Sequence, residues 1–257
     1  MLNLNKIGRP LCKIVGGKYD KNIISVSDAR SSGEDEPLAV QEFKGLKIPN
    51  NSVFQLIPNP MTEREILYIS GCSGSGKSYF ARKYLEQYKR TFKDNDIYLF
   101  SSLPHDESID SVKPKRIRID DSLVSDPLPI ESFENSICLF DDIDVISNKA
   151  IRNAVYALLN KVLEIGRHLR ISCICTMHLP TNGNDTRRIL NESHYVIYFP
   201  HSAGGKIRYM LETYVGVDKP MMNKFRHMNT RAVCIAKHFP MIYITEHEVA
   251  LLQDYDV

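Results

Sequence analysis

The run Gly71-Cys72-Ser73-Gly74-Ser75-Gly76-Lys77-Ser78 fits the spacing G-x-x-x-x-G-K-S at every fixed position. Glycines at those places let successive backbone N–H groups turn inward around phosphate oxygens. A helix beginning near Lys77 aims the positive end of its dipole at the same charge. In such a loop the lysine reaches the β- and γ-phosphates and the hydroxyl of Ser78 ligates Mg²⁺. Both flanks suit that reading. The apolar run Ile66-Leu67-Tyr68-Ile69 precedes the loop, and Phe80, Tyr84 and Tyr88 follow it at helical spacing. The base-reading Asn-Lys-x-Asp of GTPases is absent, because Asn148-Lys149-Ala150-Ile151 lacks the final aspartate. The expected ligand is therefore ATP with Mg²⁺, cradled by Gly71, Cys72, Ser73, Gly74, Ser75, Gly76, Lys77 and Ser78.

Phosphate chemistry also needs carboxylates. The apolar stretch Ile137-Cys138-Leu139-Phe140 runs into Asp141-Asp142. A carboxylate at the end of a buried strand holds Mg²⁺, and Asp141 is placed for that work beside Ser78. Asp142 is placed to orient or deprotonate the attacking water, with Asp144 as a competitor for the same task. Farther on, Ile171 to Thr176 reads as a buried strand ending in a polar residue, Thr176 or His178, able to touch the γ-phosphate or the water. Arg167 and Arg170 stand at the start of that strand. In an oligomer such an arginine can enter the neighbour's site and neutralise the transferring phosphoryl group.

These residues need a scaffold to bring them together. From residue 64 onward short apolar runs alternate with helical periodicity. The strand candidates are 66–69, 97–100, 116–120, 137–140, 171–176 and 195–199, with a closing hairpin over 232–236 and 241–245. Lys149 to Ile165 reads as a helix with Ala154, Leu158, Val162 and Ile165 on its apolar side. Continuous apolar strands separated by helices imply an α/β fold with a mostly parallel sheet covered on both faces. The strand at 97–100, inserted between the glycine-loop helix and the aspartate strand, fits the P-loop ATPases that carry an added central strand. The first 62 residues differ in style. Strand candidates at 11–15, 22–26 and 53–57 and a Ser/Gly/acid-rich loop over 29–36 suggest a small β-rich N-terminal appendage to a P-loop ATPase domain spanning 63–257.

Composition narrows the class. Of 257 residues, 43% are hydrophobic and 25% charged, with a formal charge of +2, which gives no global basic field for nucleic acid. Six cysteines form no C-x-x-C pair, and Cys138, Cys173 and Cys175 lie in apolar runs. They read as small buried hydrophobes of a reducing compartment. No apolar run has the length of a membrane span, and the start lacks the apolar core of a signal peptide. The expected location is cytoplasmic.

The order of these parts resembles a known family. Glycine loop, Phe140-Asp141-Asp142, Gly166-Arg167-His168 leading into Ile171-Ser172, a polar strand end, then Thr186-Arg187-Arg188-Ile189-Leu190-Asn191 before Tyr195 is similar to the genome-packaging ATPases of nucleo-cytoplasmic large DNA viruses and their virophage relatives. These are members of the FtsK–HerA superfamily of P-loop NTPases. The similarity covers about residues 64 to 245. It implies a homo-oligomeric ring, hexameric in type, that threads double-stranded DNA into a capsid, with a capsid or portal-vertex protein as partner, no membrane, and a place in the host cytoplasm, viral factory or virion. It also implies that the glycine-loop strand lies beside the His178 strand. Local basic clusters are available for DNA: Lys113-Pro114-Lys115-Arg116-Ile117-Arg118, Arg187-Arg188, and Lys206, Arg208, Lys219, Lys224 and Arg226 around Gly204-Gly205. A ring would multiply each cluster around a pore. Two other functions use the same glycine loop, a P-loop kinase or other phosphotransferase and a non-motor ATP-binding assembly switch. No segment reads as the arginine-rich lid or acceptor pocket that a kinase needs.

Overall fold

The computed structural model describes residues 1–4, 6–27, 42–202 and 206–253. The expected loop over 29–36 and the turn at Gly204-Gly205 lie outside those residues. Six strands precede the one that enters the glycine loop: β1 (Leu2–Asn3), β2 (Arg9–Val15), β3 (Ile23–Val26), β4 (Glu42–Phe43), β5 (Gly45–Lys47) and β6 (Val53–Leu56). Five of them form an antiparallel sheet in the order β4-β1-β3-β2-β6. The strand candidates at 11–15, 22–26 and 53–57 are β2, β3 and β6, while β1, β4 and β5 are too short to show in the sequence.

The remaining elements are β7 (Ile66–Ser70), α1 (Lys77–Thr91), β8 (Asp96–Ser101), α2 (Glu107–Asp110), β9 (Lys115–Arg118), α3 (Ser122–Ser125), β10 (Ser136–Phe140), α4 (Lys149–Ile165), β11 (Ser172–Met177), α5 (Asn184–Glu192), β12 (Tyr195–Tyr198), α6 (Lys206–Met210), α7 (Lys219–His227), β13 (Val233–Ala236), β14 (Ile242–Ile244) and β15 (Glu248–Leu251). The strands join β5 in one ten-stranded sheet, β5-β15-β14-β13-β12-β7-β11-β10-β8-β9. From β12 to β9 all neighbours are parallel, and the β13-β14-β15-β5 flank is antiparallel. The glycine-loop strand β7 does lie beside β11, the strand leading to His178, and β11 separates it from the aspartate strand β10.

Every residue of β7, β10, β11 and β12 is buried, because each strand has a covered face on both sides. Alternate residues feed two cores. Ile66 and Tyr68 join α4, α5, α6 and α7 on one face, and Leu67 and Ile69 join α1 and the N-terminal sheet on the other. The antiparallel sheet thus covers part of the large sheet's face, and β5 crosses into the large sheet itself. In α4 the buried stripe runs through Val155, Leu158, Leu159, Val162 and Leu163. Ile165, expected inside, is 42% exposed. It is the last residue of the helix, and there the chain turns away toward β11. Among the described residues no helix is long and apolar enough to cross a membrane.

Candidate nucleotide site at the strand ends

The sequence Gly71–Ser78 occupies the turn from β7 into α1. Gly71 N–H donates to Met177 O at 3.0 Å, which ties the loop to the end of β11. A Cβ at Gly71 would lie 2.5 Å from Ser75 Oγ and 2.6 Å from Phe199 Cδ2, so only glycine fits. Gly76 has φ +112°, a conformation that side chains resist, and this turn starts α1 at Lys77. The helix has no side-chain cap and no acidic residue in its first turn, so its leading N–H groups stay available to an anion. Lys77 is 5% exposed, and its Nζ donates to Gly71 O at 3.0 Å and lies 3.4 Å from Asp142 Oδ1.

The carboxylates meet that lysine from the neighbouring strand ends. Asp141 directly follows β10 and is buried. The hydroxyl of Thr176, the fifth residue of β11, donates to Asp141 Oδ1 at 2.9 Å and accepts the Asp142 N–H at 2.8 Å. Burial and then the adjacent charge of Asp142 push the Asp141 carboxyl up to about 6. Asp142 sits at φ +47°, a left-handed turn that aspartate tolerates, and this aims its carboxylate across the gap to β11. Its Oδ2 lies 2.9 Å from His178 Nε2. Asp142 is thus gripped by Lys77 on one side and His178 on the other.

The fold treats the two pairs of alternatives differently. Thr176 and His178 are both in the site, with Thr176 fully buried as a bridge between the two aspartates and His178 just past the strand facing Asp142. Asp144 is otherwise engaged. Its Oδ2 accepts the backbone N–H groups of His178 at 2.9 Å and Leu179 at 3.0 Å, so it holds the turn that presents His178. Tyr68, from the middle of β7, braces the same turn by donating to Leu179 O at 3.0 Å.

A P-loop Mg²⁺ takes one hydroxyl, one carboxylate, phosphate oxygens and water. Asp141, a carboxylate at the strand end beside a second carboxylate, together with the Ser78 hydroxyl at the start of α1, supplies the donor types that Mg²⁺ takes. Among the described residues no cluster of three or more His, Cys, Asp or Glu side chains could hold a metal.

Arg167 and Arg170 lie at the other end of β11. Six strand residues separate them from His178, about 20 Å of rise, so neither reaches its own subunit's glycine loop. Arg167 pairs with Glu63, and exposed Arg170 borders a cavity of about 350 Å³ that Glu63, Arg64 and Tyr88 also line. The basic clusters are partly spent on internal pairs: Lys115 with Asp96, Arg116 with Asp110, Arg188 with Glu164, Arg208 with Glu212, and Lys224 with Glu248. Lys113, Arg187, Lys219 and Arg226 remain exposed. One residue near the loop had escaped the sequence reading: Arg231, 154 positions after Lys77, whose guanidinium stands over Gly76. A lone arginine between α7 and β13 carries no local pattern that could have flagged it.

Strand, glycine loop and helix, with paired aspartates on the strand two places across the sheet, define a P-loop nucleoside triphosphatase fold. The cytoplasmic domain of the type VII secretion ATPase EccC from Thermomonospora curvata shares that fold, with a TM-score of 0.54 at 12% identity over 79% of this chain and 28% of that one. The genome packaging NTPase B204 of Sulfolobus turreted icosahedral virus 2, solved with AMPPCP, aligns at a TM-score of 0.49 and 12% identity over 72% of this chain and 98% of that one. No protein-family profile matches the chain. In sequence it is 41% identical over 249 residues, 96% of each chain, to the uncharacterized protein V3 of Sputnik virophage. The chain belongs to the family of that virophage protein, and the virophage kinship read from the sequence is borne out.

Proposed function

We propose that this chain is a Mg²⁺-dependent ATPase that drives double-stranded DNA into a viral capsid as part of a homo-oligomeric ring. The observation that carries the reading is Asp142 held between Lys77 Nζ at 3.4 Å and His178 Nε2 at 2.9 Å, at the mouth of a glycine loop. A triphosphate entering that loop offers Lys77 a stronger anion than Asp142. Asp142 is then left with His178, where it can accept the proton of an attacking water. Ser78 and Asp141 would hold Mg²⁺, which when bound neutralises charge on the β- and γ-phosphates. Thr176 keeps the two aspartates in fixed relation, so one can serve the cation while the other serves the water.

DNA as the substrate and the ring as the assembly rest on the resemblance to genome-packaging ATPases, on virophage kinship, and on the exposed cations Lys113, Arg187, Lys219 and Arg226. A ring also gives Arg167 and Arg170 a task, since both lie too far from their own subunit's loop and can serve only a neighbour's. A capsid or portal-vertex partner and a cytoplasmic place of work follow from the same reading. The test is ATP hydrolysis by the full chain with and without long duplex DNA, run beside a sizing experiment. Hydrolysis stimulated by DNA in an oligomer is expected. Hydrolysis by a monomer that ignores DNA would overturn the motor, and no hydrolysis in any state would overturn the ATPase.

A further inference from the structure

Beside the glycine loop runs a short cleft lined by Ser73, Gly74, Ser75, His201, Ser202 and Arg231. The mechanism above uses none of its far wall. Arg231 is the cation of that wall. Its Nε lies 3.7 Å from the position a Cβ would take on Gly76, directly at the start of α1. Among the described residues its exposed guanidinium makes no hydrogen bond and no ion pair. Ser75 lines the same cleft, is 8% exposed, and its buried hydroxyl also lacks a partner among the described residues. Two unpartnered polar groups flanking a ring of inward N–H groups suit an anion larger than the loop alone can enclose.

The segment bearing Arg231 is held rigidly. Glu246 accepts the Arg231 backbone N–H at 3.1 Å, and His201 Nε2 lies 2.9 Å from Met228 O at the other end of the segment. Glu246 is in turn fixed by the N-terminal sheet, since Phe54 N–H donates to Glu246 O at 2.8 Å and His247 Nδ1 lies 3.0 Å from Ser52 O. Ser52 and Phe54 thus brace, through Glu246, the backbone that carries the arginine. The backbone that carries Arg231 is therefore fixed beside the loop, and its exposed guanidinium can grip phosphate with two parallel N–H groups.

We infer that Arg231 binds the phosphate chain of its own subunit's nucleotide, with Glu246 as the residue that positions it. The inference rests on Gly71–Ser78 being a phosphate loop. Arg231 supplies charge from within the subunit, on the side of the loop away from Asp142, and is distinct from any arginine lent by a neighbour.

The experiment measures equilibrium binding of a non-hydrolysable ATP analogue and of ADP to the full chain, in wild type, Arg231→Ala, Arg231→Lys, Glu246→Ala, Glu246→Gln and Lys77→Ala. Arg231→Ala is expected to weaken both nucleotides about ten- to a hundredfold and to flatten the dependence of affinity on salt. Arg231→Lys should recover part of the loss, because charge returns without the two-pronged geometry. Glu246→Ala should cost severalfold and Glu246→Gln should restore it, since an amide oxygen still accepts the Arg231 N–H. Arg231→Ala binding as wild type, while Lys77→Ala loses nucleotide, overturns the inference and leaves the phosphate loop standing. A loss in Arg231→Ala with unchanged salt dependence overturns the phosphate contact. Normal binding by Lys77→Ala removes the phosphate loop and this inference together.

Discussion

The parallel sheet has a buried carboxylate at each end, and their surroundings differ in kind. At the end where β7 begins, Glu65 is 4% exposed and its oxygens accept from Tyr84 Oη at 2.6 Å, Asn59 N at 3.0 Å and Tyr195 Oη at 3.0 Å. All three donors are fixed by the fold, and none could leave for a ligand. At the opposite end Asp141 and Asp142 share Thr176, and Asp142 leans on Lys77 and His178, long side chains that can change partner. Closed pairing makes a structural clasp. Open pairing, with a second carboxylate adjacent and the uncapped start of α1 opposite, makes a site. The raised proton affinity of Glu65 and of Asp141 does not separate them, because burial causes it in both. The identity of the partners does.

The sharpest test of this contrast concerns the two arginines that sit at the closed end. Arg167→Ala/Arg170→Ala subunits keep an intact glycine loop, and Lys77→Ala subunits keep the arginines. Each should be inactive alone, and mixtures should regain hydrolysis, with a finger arginine accounting for about three to five powers of ten in rate. Mixed rings that form and stay inactive, or a double arginine variant with normal hydrolysis, would confine all catalysis to the open end. Within that end, Asp142→Asn should bind Mg-ATP as wild type does and hydrolyse it about a hundred- to ten-thousandfold more slowly. Asp144→Asn should cost less than about tenfold, because its amide oxygen still accepts the two backbone N–H groups behind His178. The reverse order of effects, measured as single-turnover rates, would exchange the two assignments.

At the closed end the expected effects are on stability. Glu65→Ala strands two tyrosine hydroxyls and an N–H, and should lower unfolding free energy in urea by about 2–4 kcal/mol with nucleotide affinity unchanged. Loss of affinity in a folded Glu65→Ala protein would show that the two ends are coupled. Glu65→Gln gives the matching pH test. Burial holds the Glu65 carboxyl above its ordinary 4.5, so the native state binds more protons there than the unfolded chain does. Stability from this group is therefore full below about 4.5 and falls as pH rises through the folded value. Glutamine cannot ionise, so its stability relative to wild type should climb as pH increases from about 4.5. The smallest effect is expected at Arg64, whose guanidinium donates to Val162 O at 2.7 Å and Leu163 O at 2.9 Å at the end of α4. Arg64→Ala should cost about 1–2 kcal/mol by thermal or urea unfolding and leave hydrolysis unchanged.

Some of this was determined by the sequence alone. Glycine spacing, Lys77 and Ser78 act within eight consecutive residues, and the apolar run ending in Asp141-Asp142 is equally local, so both halves of the site were legible. Strands β7, β10, β11 and β12 were legible because burial on both faces leaves mainly apolar side chains, and α4 because its period repeats over four turns. Short strands such as β1 and β5 were not, since two or three residues hold no period and form only where a neighbour supplies hydrogen bonds. The tertiary structure decided what depends on residues distant in the chain. Asp142 and Asp144 are two positions apart and chemically alike, and only the approach of β11 gives one to Lys77 and His178 and the other to backbone N–H groups. Likewise Glu65 and Arg231 have no local signature. One lies at a strand's start and one in a loop, and each takes part of its meaning from a group that the fold carries to it across more than a hundred residues, Tyr195 to Glu65 and Gly76 to Arg231.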